Sequence, residues 1–139
     1  MAPTPDLLAL AESARDRIVA LAQGLVQTPS LTGKEGKAAA LVEGAMRGLH
    51  YDDVRIDEVG NVLGRLAGGG GRSVLLHAHM DIVDPGDPGP WRFPPYAGEA
   101  AEGFLWGRGA SDTKASLATQ VMAAGLLREA GITPPGDVH

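Results

Sequence analysis

The chain has 139 residues, 44% of them hydrophobic, a formal charge of -5 and no cysteine. Its length suits one modest domain, and the acidic balance with scattered Lys and Arg argues against a nucleic-acid partner held on a basic face. Without cysteine there is no disulfide, thiol nucleophile or thiolate metal site, so any metal must be held by histidines and carboxylates. No apolar run approaches a membrane span, and residues 1–6 lack a basic stretch followed by an apolar one. The expected setting is therefore the cytoplasm, with no membrane partner.

Leu7, Leu10, Ala14, Ile18, Leu21 and Leu25 recur at three- and four-residue steps, which predicts one amphipathic helix of about six turns. Thr28, Pro29 and Ser30 end it. Thr32 followed by Glu35 reads as a capping box that opens a second helix, with Ala38, Leu41, Val42, Ala45 and Met46 on its buried side. Residues 54–59 alternate loosely like a strand. Gly60 and Asn61 signal a tight turn, and residues 62–66 return as a second strand. The glycines at 68–71 read as a flexible connector. They are not a phosphate loop, because no Gly-Lys-Ser/Thr follows and no helix opens there.

Residues 74–81, Val-Leu-Leu-His-Ala-His-Met-Asp, form the most informative segment. Side chains alternate faces along a strand, so His77, His79 and Asp81 point one way while Val74 and Leu76 anchor the other face in a core. Open α/β sheets place their sites at the C-terminal ends of strands, and these residue types suit a divalent metal such as zinc. The competing interpretation is a set of hydrogen-bonded polar residues at a strand end. Residues 82–108 follow as a long Pro- and Gly-rich connection. It carries Trp91, Phe93, Tyr96, Phe104 and Trp106, which either pack the loop onto the domain or wall a substrate cleft. Residues 115–130 are apolar on most faces and predict a deeply buried helix, closed by Gly131 and the Pro134-Pro135 pair. Asp112, just before it, reads on local grounds as an N-cap carboxylate.

Together these segments resemble the co-catalytic zinc aminoacylase and carboxypeptidase family, peptidase family M20, which includes acetylornithine deacetylase and succinyl-diaminopimelate desuccinylase. His79-Met80-Asp81 is similar to the family's His-x-Asp motif. Trp91-Arg92-Phe93-Pro94-Pro95-Tyr96 is similar to its Trp-then-Pro-Phe segment. Residues 107–114, Gly-Arg-Gly-Ala-Ser-Asp-Thr-Lys, look like its Gly-Arg-Gly-x-x-Asp-x-Lys motif, with Ala115 where the family usually has Gly.

The resemblance implies an α/β fold, the N-terminal portion of a zinc-exopeptidase-like catalytic domain with a central, mostly parallel sheet flanked by helices. It implies two divalent metal ions, zinc foremost, with cobalt and manganese as alternatives. His79 would bind one metal, Asp112 would bridge both, and Asp81 would be the catalytic residue that holds the His79 ring in its ligating tautomer. His77 matches no family ligand. The implied activity is hydrolysis of amide bonds in small-molecule N-acyl amino acids or short peptides, by a full-length homodimer. Residues 136–139 look like the start of the strand leading to the family's Glu-Glu pair, so residues 1–139 are expected to be a partial catalytic domain. The general base, the remaining ligands, the dimerisation domain and the C-terminal catalytic half would lie outside it, and activity of this stretch alone is not expected. The alternative is a non-catalytic remnant or interaction piece of the same fold.

Overall fold

The structure is a computed structural model and describes residues 6–139; residues 1–5, on which the leader reading largely rests, lie outside that range. The described chain contains α1 (Leu7–Ser13), α2 (Arg15–Val26), α3 (Gly36–Gly48), β1 (Asp53–Ile56), β2 (Val62–Arg65), β3 (Glu99–Ala101), β4 (Phe104–Trp106) and α4 (Ala115–Glu129). No helix among the described residues is long and apolar enough to cross a membrane.

The single first helix expected from the sequence is two. The Asp6 carboxylate caps α1 by accepting from the Leu8 and Ala9 N–H groups, and Ala14 breaks the run at φ -93° and ψ 0°. From Leu10 onward the apolar stripe crosses the break, because Ala14 is itself 2% exposed and packs in the core with Leu25, whereas Leu7 at the start of α1 is 56% exposed. That core is built mainly by α2, α3 and α4, where Ala22, Leu25, Val42, Leu117, Ala118, Val121 and Met122 meet. The expectation for the last helix is borne out: α4 buries Leu117, Ala118, Val121, Met122, Ala124, Gly125 and Leu126, more than one face can supply.

β1 and β2 pair antiparallel, with Ile56 opposite Val62. The connection is longer than the predicted two-residue turn. The Asp57 carboxylate accepts from the Val59 N–H, the Asn61 N–H and the Asn61 side chain, so residues 57–61 curl around it instead of continuing the strand. β3 and β4 form a second antiparallel hairpin inside the long connection. Its aromatics pack on one another, with Phe93 and Phe104 ring centroids 5.7 and 6.1 Å from Trp106.

The parallel sheet expected at the centre is reduced, among the described residues, to isolated parallel bridges at Leu31–Ile82 and Val74–Val138. Val74 donates to the Asp137 carbonyl and Leu76 to the His139 carbonyl, each at 2.8 Å. The strand expected over residues 74–81 does not form beyond the bridge at Val74, and Val74 and Leu76, expected to anchor it in a core, are 53% and 40% exposed. The anchor is Ile82, 4% exposed, whose N–H donates to the Ser30 carbonyl at 2.9 Å.

The glycine run at 68–71 is a packing surface rather than a free tether. Gly69 and Gly71 donate to the Pro134 and Pro135 carbonyls at 2.9 and 2.8 Å. A Cβ on Gly68 would fall 2.1 Å from the Gly136 carbonyl oxygen, so only bare backbone fits there. The Asp137 carboxylate closes the same junction, accepting from the Gly68 N–H at 2.9 Å and from Arg65 at 2.7 Å.

The Gly68 N–H, and after it Arg65, hold the Asp137 carboxyl below its ordinary range. A carboxyl with a lowered folded pKa contributes stability that is complete above the unfolded value of about 3.9 and is lost as pH falls through the folded value. Asp137→Asn should therefore lower the thermal midpoint near neutral pH, and the deficit should shrink as pH drops below about 4. Thermal melts across pH check this, and a deficit that stays constant into acid would refute it.

Candidate metal site

Three sequence-predicted residues meet. His79 Nδ1 lies 3.0 Å from Asp81 Oδ1 and 3.1 Å from the Asp81 carbonyl oxygen. On the other side of the ring, Nε2 lies 3.0 Å from Asp112 Oδ1. The Asp81 carboxylate is held in turn: its Oδ2 accepts from the Thr32 hydroxyl at 2.7 Å. A continuous line of contacts therefore runs from Thr32 through Asp81 and His79 to Asp112.

Asp112 reaches this position because it is not an N-cap. It sits in an irregular turn, Ala110–Lys114, where Asp112 (φ -127°, ψ 91°) and Thr113 (φ -141°, ψ 18°) leave the helical region. No side chain caps α4. The turn begins at Gly109, whose φ of 83° suits glycine and whose missing Cβ would lie 2.6 Å from Ile82 Cγ2. That glycine lets the Asp112 segment lie directly against the residue that follows Asp81.

Lys114 fixes the far end of the turn. Its side chain is 0% exposed, and Nζ donates to the carbonyls of Leu25 at 2.8 Å and Thr28 at 2.7 Å. Burial pushes its pKa down to about 8. The carbonyls it meets lie at the C-terminal end of α2, where a cation is favoured by the helix dipole.

The electrostatics follow from these contacts. The Asp112 hydrogen bond, followed by those to Asp81, raises the His79 pKa against the opposing effect of burial. The Thr32 hydroxyl first, and His79 after it, lower that of Asp81. Asp112 is the open member, with its side chain 88% exposed. His77 stands apart: its carbonyl accepts from Gln120 at 3.4 Å, and its ring makes no hydrogen bond to the three site residues.

The predicted capping box does not form. α3 starts at Gly36, the Glu35 side chain accepts from the Gly33 N–H at 2.7 Å, and the Thr32 hydroxyl goes to Asp81. Thr32, Lys114 and Ser30 are the residues that sequence reasoning left without a role at the site. A hydroxyl three residues before a Glu has a local partner on offer, and nothing local reveals the carboxylate 49 residues away that wins it.

As metal donors, His79 Nε2 and Asp112 Oδ1 have the right chemistry, an imidazole nitrogen and a carboxylate oxygen facing one point. Two donors on one tetrahedral zinc at about 2.0–2.2 Å each stand about 3.3–3.6 Å apart, so the pair, 3.0 Å apart at hydrogen-bond distance, would open by a few tenths of an ångström to hold one. They are two donors rather than a full set: among the described residues no group of three or more His, Cys, Asp or Glu is gathered to hold an ion.

A helix-backed α/β scaffold of this kind is the fold of metallopeptidase catalytic domains. It superposes on an M20 family metallo-carboxypeptidase from Sulfolobus solfataricus with a TM-score of 0.77 at 16% identity, covering 87% of this chain and 29% of that one. It superposes on the di-peptidase Dug1p from Saccharomyces cerevisiae with a TM-score of 0.80 at 15% identity, covering 95% and 32%. The chain belongs to peptidase family M20/M25/M40, whose model matches residues 75–139. Among curated relatives, it is 37% identical over 116 residues to a succinyl-diaminopimelate desuccinylase of Paracoccus denitrificans, covering 81% of this chain and 30% of that protein. The chain thus spans about 30% of the length of the curated relatives it matches.

Lys114→Met keeps the apolar stem and removes the ammonium. The Thr28 carbonyl then loses this donor, and the Leu25 carbonyl keeps only the Thr28 N–H at 3.1 Å. A buried acceptor left unpaired costs about 1–3 kcal/mol, so denaturant unfolding should show a loss of about that size. Wild-type stability in this variant would contradict the assignment.

Proposed function

We propose that this chain is part of a metal-dependent hydrolase of amide bonds in small N-acyl amino acids or short peptides. The observation that carries this reading is the His79–Asp112 pair. When Nδ1 donates to Asp81, Nε2 presents a lone pair to a carboxylate oxygen 3.0 Å away. Two electron-pair donors at that distance are favourable only around a shared cation, either a proton or a metal. The relatives support the hydrolytic reading, since a desuccinylase and a di-peptidase by name both cleave an acyl–nitrogen bond.

On this reading His79 is a terminal ligand and Asp112 a ligand whose open carboxylate has a second oxygen to offer. Bound there, a pair of divalent ions, zinc foremost with cobalt or manganese as alternatives, would supply the activated water and carbonyl polarisation that amide hydrolysis needs. Asp81 holds the Nδ1 proton and so keeps Nε2 free to ligate, the usual service of a carboxylate behind a metal histidine. Residues 1–139 would contribute part of a catalytic domain, with the general base and further ligands supplied from elsewhere in a cytoplasmic homodimer. His77 has no part in the ligand set.

The test is zinc affinity, by competition with a chromophoric chelator, across four variants. His79→Ala and Asp112→Ala should abolish most binding, Asp112→Ala more completely. Asp81→Ala should weaken it about 10–100-fold, and His77→Ala should leave it within about twofold of wild type. If His77→Ala removes the metal and His79→Ala does not, the ligand assignment is wrong. Chelator-sensitive hydrolysis of N-succinyl amino acids and dipeptides by the complete gene product tests the reaction class. Hydrolysis indifferent to chelator would refute metal dependence.

A further inference from the structure

The connector between α2 and α3 touches both segments that carry the donor pair, and it touches them by different side chains. From the Asp112 side, Lys114 donates to the Thr28 carbonyl at 2.7 Å. On the His79 side, the Ser30 hydroxyl, on a residue 0% exposed, donates to the Met80 carbonyl at 2.7 Å. The Ser30 carbonyl accepts from the Ile82 N–H at 2.9 Å. Two residues on, the Thr32 hydroxyl donates to Asp81 Oδ2 at 2.7 Å. Within five residues the connector therefore grips the backbone before and after Asp81, the carboxylate of Asp81 itself, and the lysine two residues beyond Asp112.

We infer that Thr32 is a positioning residue for the donor pair, acting through Asp81 on the tautomer and orientation of the His79 ring, with the α2–α3 connector as its fixed support. This rests on the proposed metal reading but concerns a residue to which that reading gives no role. The argument is geometric. A carboxylate has two oxygens, and here Oδ1 faces the His79 ring while Oδ2 faces Thr32. A carboxylate held at one oxygen only is free to rotate about its Cβ–Cγ bond, a soft torsion with a broad, roughly two-fold profile. The Thr32 hydroxyl removes that freedom, so Oδ1 stays aimed at Nδ1. The neutral ring then favours its proton on Nδ1, which faces two acceptors, the Asp81 carboxylate and carbonyl oxygens, while Asp112, its side chain 88% exposed, can turn to solvent or share a cation with Nε2. Thr32 can hold this aim because Ser30 and Lys114 immobilise the connector on both flanks.

The experiment compares the complete gene product with its Thr32→Val variant, which keeps the shape and loses the hydroxyl, and its Thr32→Ser variant, which restores it. Thr32 is exposed, so neither change should unfold the chain; equal far-ultraviolet circular dichroism and melting midpoints confirm that. The first readout is the pair of His79 ring nitrogen shifts by long-range proton–nitrogen correlation. They are recorded without metal at a pH high enough that further alkali no longer changes them, since the His79 pKa lies above the ordinary value of about 6.5. Wild type and Thr32→Ser should show the Nδ1–H tautomer, and Thr32→Val a mixture of both. The second readout is zinc affinity, which should fall about 10–100-fold in Thr32→Val and recover in Thr32→Ser. Unchanged ring shifts in Thr32→Val, or a wild-type ring already mixed, overturn the inference whatever the zinc result. A complete gene product that binds no zinc would instead sink the metal reading while leaving the ring comparison decisive.

Discussion

The buried Lys114 ammonium is the contact on which the rest of the site depends. A charged group taken out of water must be given partners, or it neutralises or moves. Lys114 finds its partners in the Leu25 and Thr28 carbonyls, at the end of α2. Satisfying that one side chain brings the start of α4 against the end of α2, directly after a turn in which Asp112 and Thr113 leave the helical region. Asp112, in that turn, faces His79 rather than back onto α4 as a cap. The lowered pKa of Lys114 records the cost of its burial, and the helix-terminal carbonyls are what keep the cost tolerable.

The same place in the fold shows how a small set of glycines and hydroxyls can determine the reach of a charged pair. Gly109 admits Ile82, and Ile82 is bonded to Ser30. The segment carrying His79 is thus held through the backbone on either side of Asp81, while its apolar start at residues 74–76 is well exposed. The two ends of this segment are held by different partners, the apolar end by backbone hydrogen bonds to residues 137–139 and the polar end by hydrogen bonds to the connector.

Charge is arranged along the line from Thr32 to Asp112 in an alternating sense: neutral donor, carboxylate, imidazole, carboxylate. Each member favours the state its neighbour needs. Thr32 favours ionised Asp81, and two carboxylates favour a positive His79 or, in its place, a cation at Nε2. Asp112, open to solvent on its far side, is the member through which a further group can join the line.

The sequence by itself determined the pieces whose causes are local. The buried character of α4 was legible because apolar residues fill most of its faces, whereas the strand alternation that grouped His77, His79 and Asp81 belongs to a strand that does not form, and only His79 and Asp81 meet. Asp112 was joined to them only through the resemblance of two motifs, since its local surroundings read as a helix cap. Tertiary structure decided the rest. The break at Ala14 does not disturb the apolar stripe, so periodicity could not reveal it. The curl of residues 57–61 depends on one Asp57 carboxylate taking three N–H donors. The parallel sheet needs partners from distant parts of a chain, and the described residues supply only isolated bridges. Thr32 illustrates the reason in its plainest form. Its hydroxyl could serve a backbone N–H three residues away or a carboxylate 49 residues away. Local sequence fixes only the first possibility, and the choice belongs to the packing that brings Asp81 within 2.7 Å.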